Sequence, residues 1–353
     1  TVLGWGRHDT DGVVESVCAG AEGDEDAVYL VVRRTIDGVE RRFIERMKSR
    51  IPPFAPIPRG APETMRERDT LLRWFVDCGL SYDGRNRDPT KTVAIGITTG
   101  GWTENDTLTL AAFDTVTGST RSMFAPGDVG DQVEVALYAT TLDAESCQYV
   151  TTLTARVRFV IDEYIAPFRV NGHTIGDVPP ELQGGQLANL SDWVFKRNVF
   201  SGLDHLEGKT VSVYADGNVH PSRVVVDGAI TLQDPAGVVV VGLPYCSDLE
   251  TLELNVIGGE SVRAKQKLVT ELGVQVQETR NIVAGTSFDP DRMMEWKPRD
   301  EDDGYLDPVS ELTGIARVNL LGDWLANGHV CIRQNLPLPI TVLAVIPKVD
   351  IGG

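Results

Sequence analysis

Apolar and polar positions along this chain fall mostly into short runs rich in Val, Ile, Thr, Tyr and Phe, cut at close intervals by Gly, Asp and Asn. Runs of that kind predict strands rather than helices. The clearest unit is "AVYLVVRRTIDGVERRFIERM", residues 27 to 47. Its two strand-like halves flank Asp37-Gly38, the pair favoured by a two-residue type I′ hairpin, in which both central residues need positive φ. From 92 to 172 follow "TVAIGITT", "DTLTLAAF", "QVEVALYA" and "LTARVRFVIDEYIAPFRVNG". Their spacing predicts a small sandwich or barrel. Strands resume at 208 with "KTVSVYADG", "VHPSRVVVDGAITL", "AGVVVVGLPY" and "DLETLELNVIG", where Asp227-Gly228 marks a second hairpin. The closing "ITVLAVIPKV" is short enough for a buried strand.

Helical spacing is rare. "PETMRERDTLLRWFVDCGL" places Leu71, Leu72, Phe75 and Val76 on one helical face with Pro62 suited to a first turn, so a helix ending near Gly79 is expected. "LSDWVFKRNVF" predicts a short helix capped by Ser191 or Asp192. "ESVRAKQKLVTEL" predicts another, feeding the strand "GVQVQETRNI". "IPPFAPIPRGAP" carries five prolines and cannot hold a sheet ladder, so it reads as an extended connector. No solenoid or propeller repeat is present. The expected fold class is mainly β: antiparallel sheet domains with a few short helices and an inserted small β-barrel or sandwich.

At 353 residues the chain has room for roughly two domains. Its 33 Lys+Arg against 51 Asp+Glu give a net charge of −18. Such a surface repels phosphate and argues against a groove that grips nucleic acid, but not against a surface DNA slides past. No apolar run approaches the ~20 residues of a membrane span. Cys18, Cys78, Cys147, Cys246 and Cys331 are scattered and form no C-x-x-C pair, and four of them sit in apolar or strand-like settings. They read as reduced, structural thiols, which fits synthesis in a reducing cytoplasm. The chain opens "TVLGWGRHDTDG", without a methionine and already in structured-looking sequence, so it is expected to be the C-terminal part of a longer polypeptide.

Two stretches invite a chemical reading. "FSGLDHLEGKTVSVYADG" packs Asp204, His205 and Glu207 together. Acid/base work would need His205 and a carboxylate on converging vectors. The alternative is a polar corner handing a loop to a strand, with Leu203 and Leu206 packing and the two acids bonding nearby backbone N–H groups. The Gly brackets and the strand that follows favour the corner. The loop 287 to 311 holds Asp289, Asp291, Glu295, Asp300, Glu301, Asp302, Asp303, Asp307 and Glu311 against Arg292, Lys297 and Arg299. Clustered carboxylates suit Ca²⁺ or Mg²⁺, yet the EF-hand template fails, because Gly304 at its sixth position puts Arg299 at its first. A solvated acidic loop is the simpler reading. His8, His173, His220 and His329 form no H-x-x-x-H pair, and no P-loop, G-x-G-x-x-G or G-x-S-x-G occurs. The residues therefore nominate no catalytic, cofactor-binding or metal site.

Several blocks, taken in order, resemble the tail nozzle (tail tubular protein B) family of short-tailed bacteriophages and related prophages. In "GWGRHDTDGVVESVCAGAEGDEDAVYLVVRRTIDGVERRFIERM" the matching positions are Trp5, Arg7 and His8, then Val28 to Arg33, then Ile44, Glu45 and Arg46. "DCGLSYDG", "GLDHLEGKTVSVYADGNVHPSRVVVDGAITL", "VVVGLPY" and "LTGIARVNLL…ITVLAVIPKV" continue the likeness, which covers nearly the whole chain outside 84 to 200. In many members the Tyr82 block runs closely into the Gly202 block. The piece between them here resembles a small β-barrel insert that some members carry. The resemblance thus implies a discontinuous β-rich nozzle/platform domain, 1–83 and 201–353, with an inserted β-domain at 84–200 and a family N-terminal region missing. It also implies a virion structural protein rather than an enzyme. It would be made in the host bacterial cytoplasm and sit in the tail, as a homohexameric ring bordered by adaptor and fibre or spike proteins. DNA would pass through the lumen without specific binding, with no cofactor and no membrane insertion. The alternative is a carbohydrate-binding or carbohydrate-cleaving tail component, for which Asp302 and Asp307 could serve as paired carboxylates. Against it, Trp5, Trp74, Trp102, Trp193, Trp296 and Trp324 are dispersed along the chain.

Overall fold

The structure, a computed structural model, describes residues 9–23, 25–49, 52–54, 69–142, 149–183, 190–257, 260–298 and 310–352. It is mainly β, built from several antiparallel sheets, none closed into a barrel. Its helices among the described residues are single 3₁₀ turns, such as Thr70–Leu72 and Asp204–Leu206. None is long and apolar enough to cross a membrane.

The N-terminal sheet is a meander of Val13–Glu22, Glu25–Ile36 and Val39–Arg46. Asp37 and Gly38 turn its second hairpin at φ 48° and 72°, as a type I′ turn requires. Val32, Arg34 and Ile36 alternate into the protein, whereas Val13–Glu22 is exposed at every position.

A four-stranded sheet forms the middle of the fold, in the order Asn218–Val224, Thr210–Ala215, Val238–Leu243, Asp77–Asp83. Val238–Leu243 is buried at all six positions, which is why its near-continuous valine run carries no alternation. Val239, Val241 and Leu243 pack with Leu203, Leu206 and Ile230 on one side, and Val240 packs with Val76 and Tyr214 on the other. Burial of each such side chain stabilises the fold by about 1.5–3 kcal/mol.

The large sheet runs Ala229–Ala236, Trp193–Ser201, Gln132–Leu142, Tyr149–Ala166, Arg169–Ile175, Thr107–Asp114, Lys91–Thr99. It curls until its last strand meets the first part of its path through a single bridge, Val93 to Leu190, and stops short of closure. Its core draws only on residues between Val93 and Phe195. The chain enters and leaves this unit side by side. Arg85 bridges Val194, and the Phe195 amide donates to the Gly84 carbonyl at 2.9 Å. Trp193–Ser201 is shared, because its first half pairs with 132–135 while Val199–Ser201 pairs with 229–231. Phe200 belongs to the middle core.

A third core lies between two C-terminal sheets. One is Ser247–Glu250, Cys331–Gln334, Ile282–Gly285, Met293–Trp296, and the other is Leu312–Asn319, Lys267–Thr279, Val342–Ile351.

Three expected helices are strands or turns. After Thr70–Leu72 the chain extends into Asp77–Asp83, because Val76 is held against Tyr214 and Val240, and Gly79 passes so close to Val241 that a Cβ would sit 2.6 Å from its carbonyl oxygen. The expected start of that helix, and most of the Pro-rich connector, lie outside the described residues. Trp193–Ser201 is extended because Trp193 and Phe195 alternate into the large core and both edges find partners. Lys267–Thr279 is a 13-residue strand whose Val269, Leu272, Val274 and Val276 enter the third core, with a bulge after Val269 restoring the alternation. Sheet pairing overrode helix propensity in each case. The closing run, Val342–Ile351, is an edge strand with Leu343 and Ile346 exposed, not a buried one. The thiols also differ from expectation, since Cys18 and Cys246 are exposed; Cys147 lies outside the described residues.

Because Arg85 and Val194 are neighbours, replacing residues 86–193 by a short Gly/Ser linker is expected to leave a chain that melts cooperatively. Loop length itself changes closure cost by only ~0.6 kcal/mol per doubling. Extending the deletion through Phe200 removes a core side chain and is expected to cost a further ~3–5 kcal/mol in a denaturant melt. Equal stability of the two deletions would contradict the sharing of this strand.

Candidate functional site

The corner at 203–208 is built by a one-turn 3₁₀ helix, Asp204–Leu206, entered and left through Gly202 and Gly208 at positive φ. Leu203 and Leu206 are fully buried and fix the turn on the middle core. His205 Nε2 lies 3.0 Å from the Cys78 carbonyl oxygen. A carbonyl only accepts, so Nε2 carries the proton and donates. The ring also meets Phe43 edge-on at 6.4 Å between centroids, which seats the N-terminal sheet on this corner.

Glu207 points elsewhere. Its two oxygens accept from the Asp227 and Gly228 amides at 3.1 and 2.8 Å, closing the hairpin turn at Asp227-Gly228. That turn has φ 52° and 66°. Asp204 fills the space beside Gly228, where a Cβ would lie 2.5 Å from Oδ1. The three side chains that the sequence brings together therefore diverge in space, and among the described residues neither carboxylate bonds the imidazole. The corner joins three backbone segments, as the polar-corner reading expects.

The thiol of Cys78, on the same junction, is pushed up to about 12 by burial and by the neighbouring Glu45. Glu45 in turn takes a bidentate pair of hydrogen bonds from buried Arg34 at 2.8 Å each, and Arg34 also donates to Thr10 Oγ1 at 2.8 Å. Lys209 reaches Asp11 at 2.8 Å.

Of the acidic stretch, Asp300, Glu301, Asp302, Asp303 and Asp307 lie outside the described residues. Three of the others have partners. Asp289 caps the 3₁₀ turn through the Asp291 amide, Glu295 pairs with Lys297 at 2.8 Å, and Glu311 bonds Arg73 and Arg280 at 3.1 and 3.2 Å. The histidines also separate. His173 Nδ1 meets Asp162 at 2.7 Å on an exposed strand pair, and burial lowers the pKa of His220 below its ordinary value. His8 lies outside the described residues.

His329, which has no H-x-x-x-H partner in the sequence, meets other ligand-type residues in space. Its Nε2 is 3.6 Å from Glu250 Oε1, and together with Cys331 these residues bring one nitrogen, one oxygen and one sulfur within 4.8 Å of one another. Burial, then Glu250 and Asp248, push the Cys331 thiol up to about 11. The available signal was His329-Val330-Cys331, two ligand-type residues at the spacing that shares one face of a strand.

The tryptophans form no common groove among the described residues. Trp102 and Trp193 pack in the large core, Trp74 beside Val76 and Tyr214, Trp296 in the third core, and Trp324 is exposed near Gly352. No protein-family model matches the chain, and no curated protein matches it.

Glu207→Ala removes a charged acceptor from two backbone amides. It is expected to lower stability by about 1–3 kcal/mol in urea melts, with the loss shared by a Gly228→Ala chain rather than added to it. Full additivity of the two changes would argue that Glu207 does not hold this turn.

Proposed function

We propose that this chain is part of a virion structural protein, a subunit of the tail nozzle of a short-tailed phage or related prophage, working as one wall segment of a ring through which DNA leaves. The observation that carries this reading is the uncovered edge of the N-terminal sheet. Val13–Glu22 is ten residues long, is exposed throughout with Val13, Val14 and Val17 on display, and among the described residues pairs on one side only, with Glu25–Ile36. Such an edge is a template for strand pairing with another chain, and monomeric proteins blunt it. A ring needs a head-to-tail interface, and this edge would supply one of its two surfaces.

The ordered sequence blocks support the same reading, because they coincide with the frame. They fall on the N-terminal sheet, on the corner at 203–208, on Val238–Leu243 and on the strands of the last sheet. The net charge of −18 suits a lumen past which phosphates travel, since each basic contact would add salt-dependent affinity and drag. The groups with the look of acid/base machinery, His205 and Glu207, are occupied in joining backbone segments.

Sedimentation and electron micrographs of the chain at rising concentration test the proposal. Closed rings, or a concentration-dependent oligomer, are expected, and Val14→Lys with Val17→Lys is expected to return the chain to monomer without changing its melting temperature. A chain that stays monomeric at the highest concentration, or an oligomer indifferent to those changes, would contradict the edge-pairing reading.

A further inference from the structure

Glu250, His329 and Cys331 take no part in the corner or in the ring edge. We propose that they bind one Zn²⁺ ion, with Cys331 Sγ, His329 Nε2 and a Glu250 carboxylate oxygen as ligands and a water molecule in the fourth position. Zinc bonds of ~2.0–2.3 Å at tetrahedral angles place ligand atoms roughly 3.3–3.6 Å apart. His329 Nε2 and Glu250 Oε1 are already 3.6 Å apart, and all three ligand atoms lie within 4.8 Å of one another, so small side-chain rotations close the cage.

The backbone holds these residues in place before any ion arrives. Glu250 and Cys331 are direct cross-strand partners, and His329, two residues before the strand Cys331–Gln334, comes within 3.6 Å of Glu250. Between the two ligands, Val330 is clamped from both directions. Its amide donates to Thr251 Oγ1 at 3.0 Å, and its carbonyl accepts from the Thr251 amide at 3.0 Å. Two of the ligands thus sit on the ladder, and the third is next to the clamped Val330.

The donor set selects the metal. Sulfur, nitrogen and a single carboxylate suit borderline-soft zinc, whereas Ca²⁺ and Mg²⁺ call for oxygen throughout. Cys331 is 1% exposed and Glu250 is exposed, so the ion would sit at the margin of the sheet with one side open to water. On binding, the thiol proton leaves to solvent and the Cys331 sulfur bonds the metal. Three protein ligands leave one position exchangeable.

The test titrates chelator-treated chain with zinc chloride by calorimetry, and with cobalt chloride by absorbance as a reporter of tetrahedral, thiolate-ligated geometry. One ion per chain is expected, with a sulfur-to-cobalt band that is absent in Cys331→Ser. His329→Gln and Glu250→Gln are expected to weaken zinc binding roughly tenfold or more, while Cys246→Ser leaves it unchanged. Glu250 is exposed and His329 partly so, and both lie outside the apolar core, so these two changes decide the matter even if the Cys331 change unfolds the chain. Absence of saturable binding at micromolar zinc, or binding that survives His329→Gln and Glu250→Gln, would overturn the proposal.

Discussion

Buried arginines at the seams between sheets are the constraint on which the arrangement depends. The large and middle cores share the strand Trp193–Ser201, and charged clusters hold the sheets together at their seams. Arg280 donates to Tyr214 Oη at 3.1 Å and to the Gly217 carbonyl at 2.8 Å, and pairs with Glu311 at 3.2 Å. Arg73 reaches Glu311 and Glu278 at 3.1 and 2.6 Å. Together they bind the C-terminal sheets to the middle sheet. Where the chain passes into the large sheet, Arg85 grips Asp69 at 2.5 Å and Asp83 at 2.9 Å, with Arg87 on the same acids. Burial works to raise the pKa of Asp83, but hydrogen bonds from Arg85 and Arg87 prevail and hold it below the ordinary carboxylate value. Buried pairs of this kind add little over an apolar contact of the same shape, yet removing one partner costs ~3–5 kcal/mol. They fix orientation more than they add stability.

The fold was legible where a single local rule sufficed. Asp37-Gly38 and Asp227-Gly228 announced their hairpins because few residues tolerate positive φ at both turn positions. The run at Val238–Leu243 announced a strand because its valines are β-branched, although that it is covered on both faces emerges only from the structure. The helices failed for the complementary reason. In Trp193–Ser201 and Lys267–Thr279 the apolar positions fit a helical face and a strand face alike, and only distant partners decide between them. In the second case Lys267 is 1% exposed, with its Nζ reaching the Lys265 and Ala326 carbonyls. Nothing local reveals such a lysine.

The same distinction governs the sites. The corner at 203–208 was readable as structure because its leucines and glycines spell a packed turn, although the bond from His205 to the Cys78 carbonyl spans 127 positions and leaves no local trace. The Glu250, His329 and Cys331 grouping was half-written in the His-Val-Cys spacing. Its third member comes from a strand some eighty positions earlier, joined only by the pairing of Ser247–Glu250 with Cys331–Gln334. Sheet order is the information that the sequence alone withholds.

Hydrogen–deuterium exchange on a Glu311→Gln chain tests the role of the seams most directly. Glu311 is the carboxylate common to Arg73 and Arg280. If it locks the C-terminal sheets to the middle one, its loss should speed exchange across 212–217 and 276–285 while leaving the amides of the large sheet as they were. Protection unchanged along both stretches would show that apolar contacts alone hold the seam, and that the buried arginines do not set how the sheets are joined.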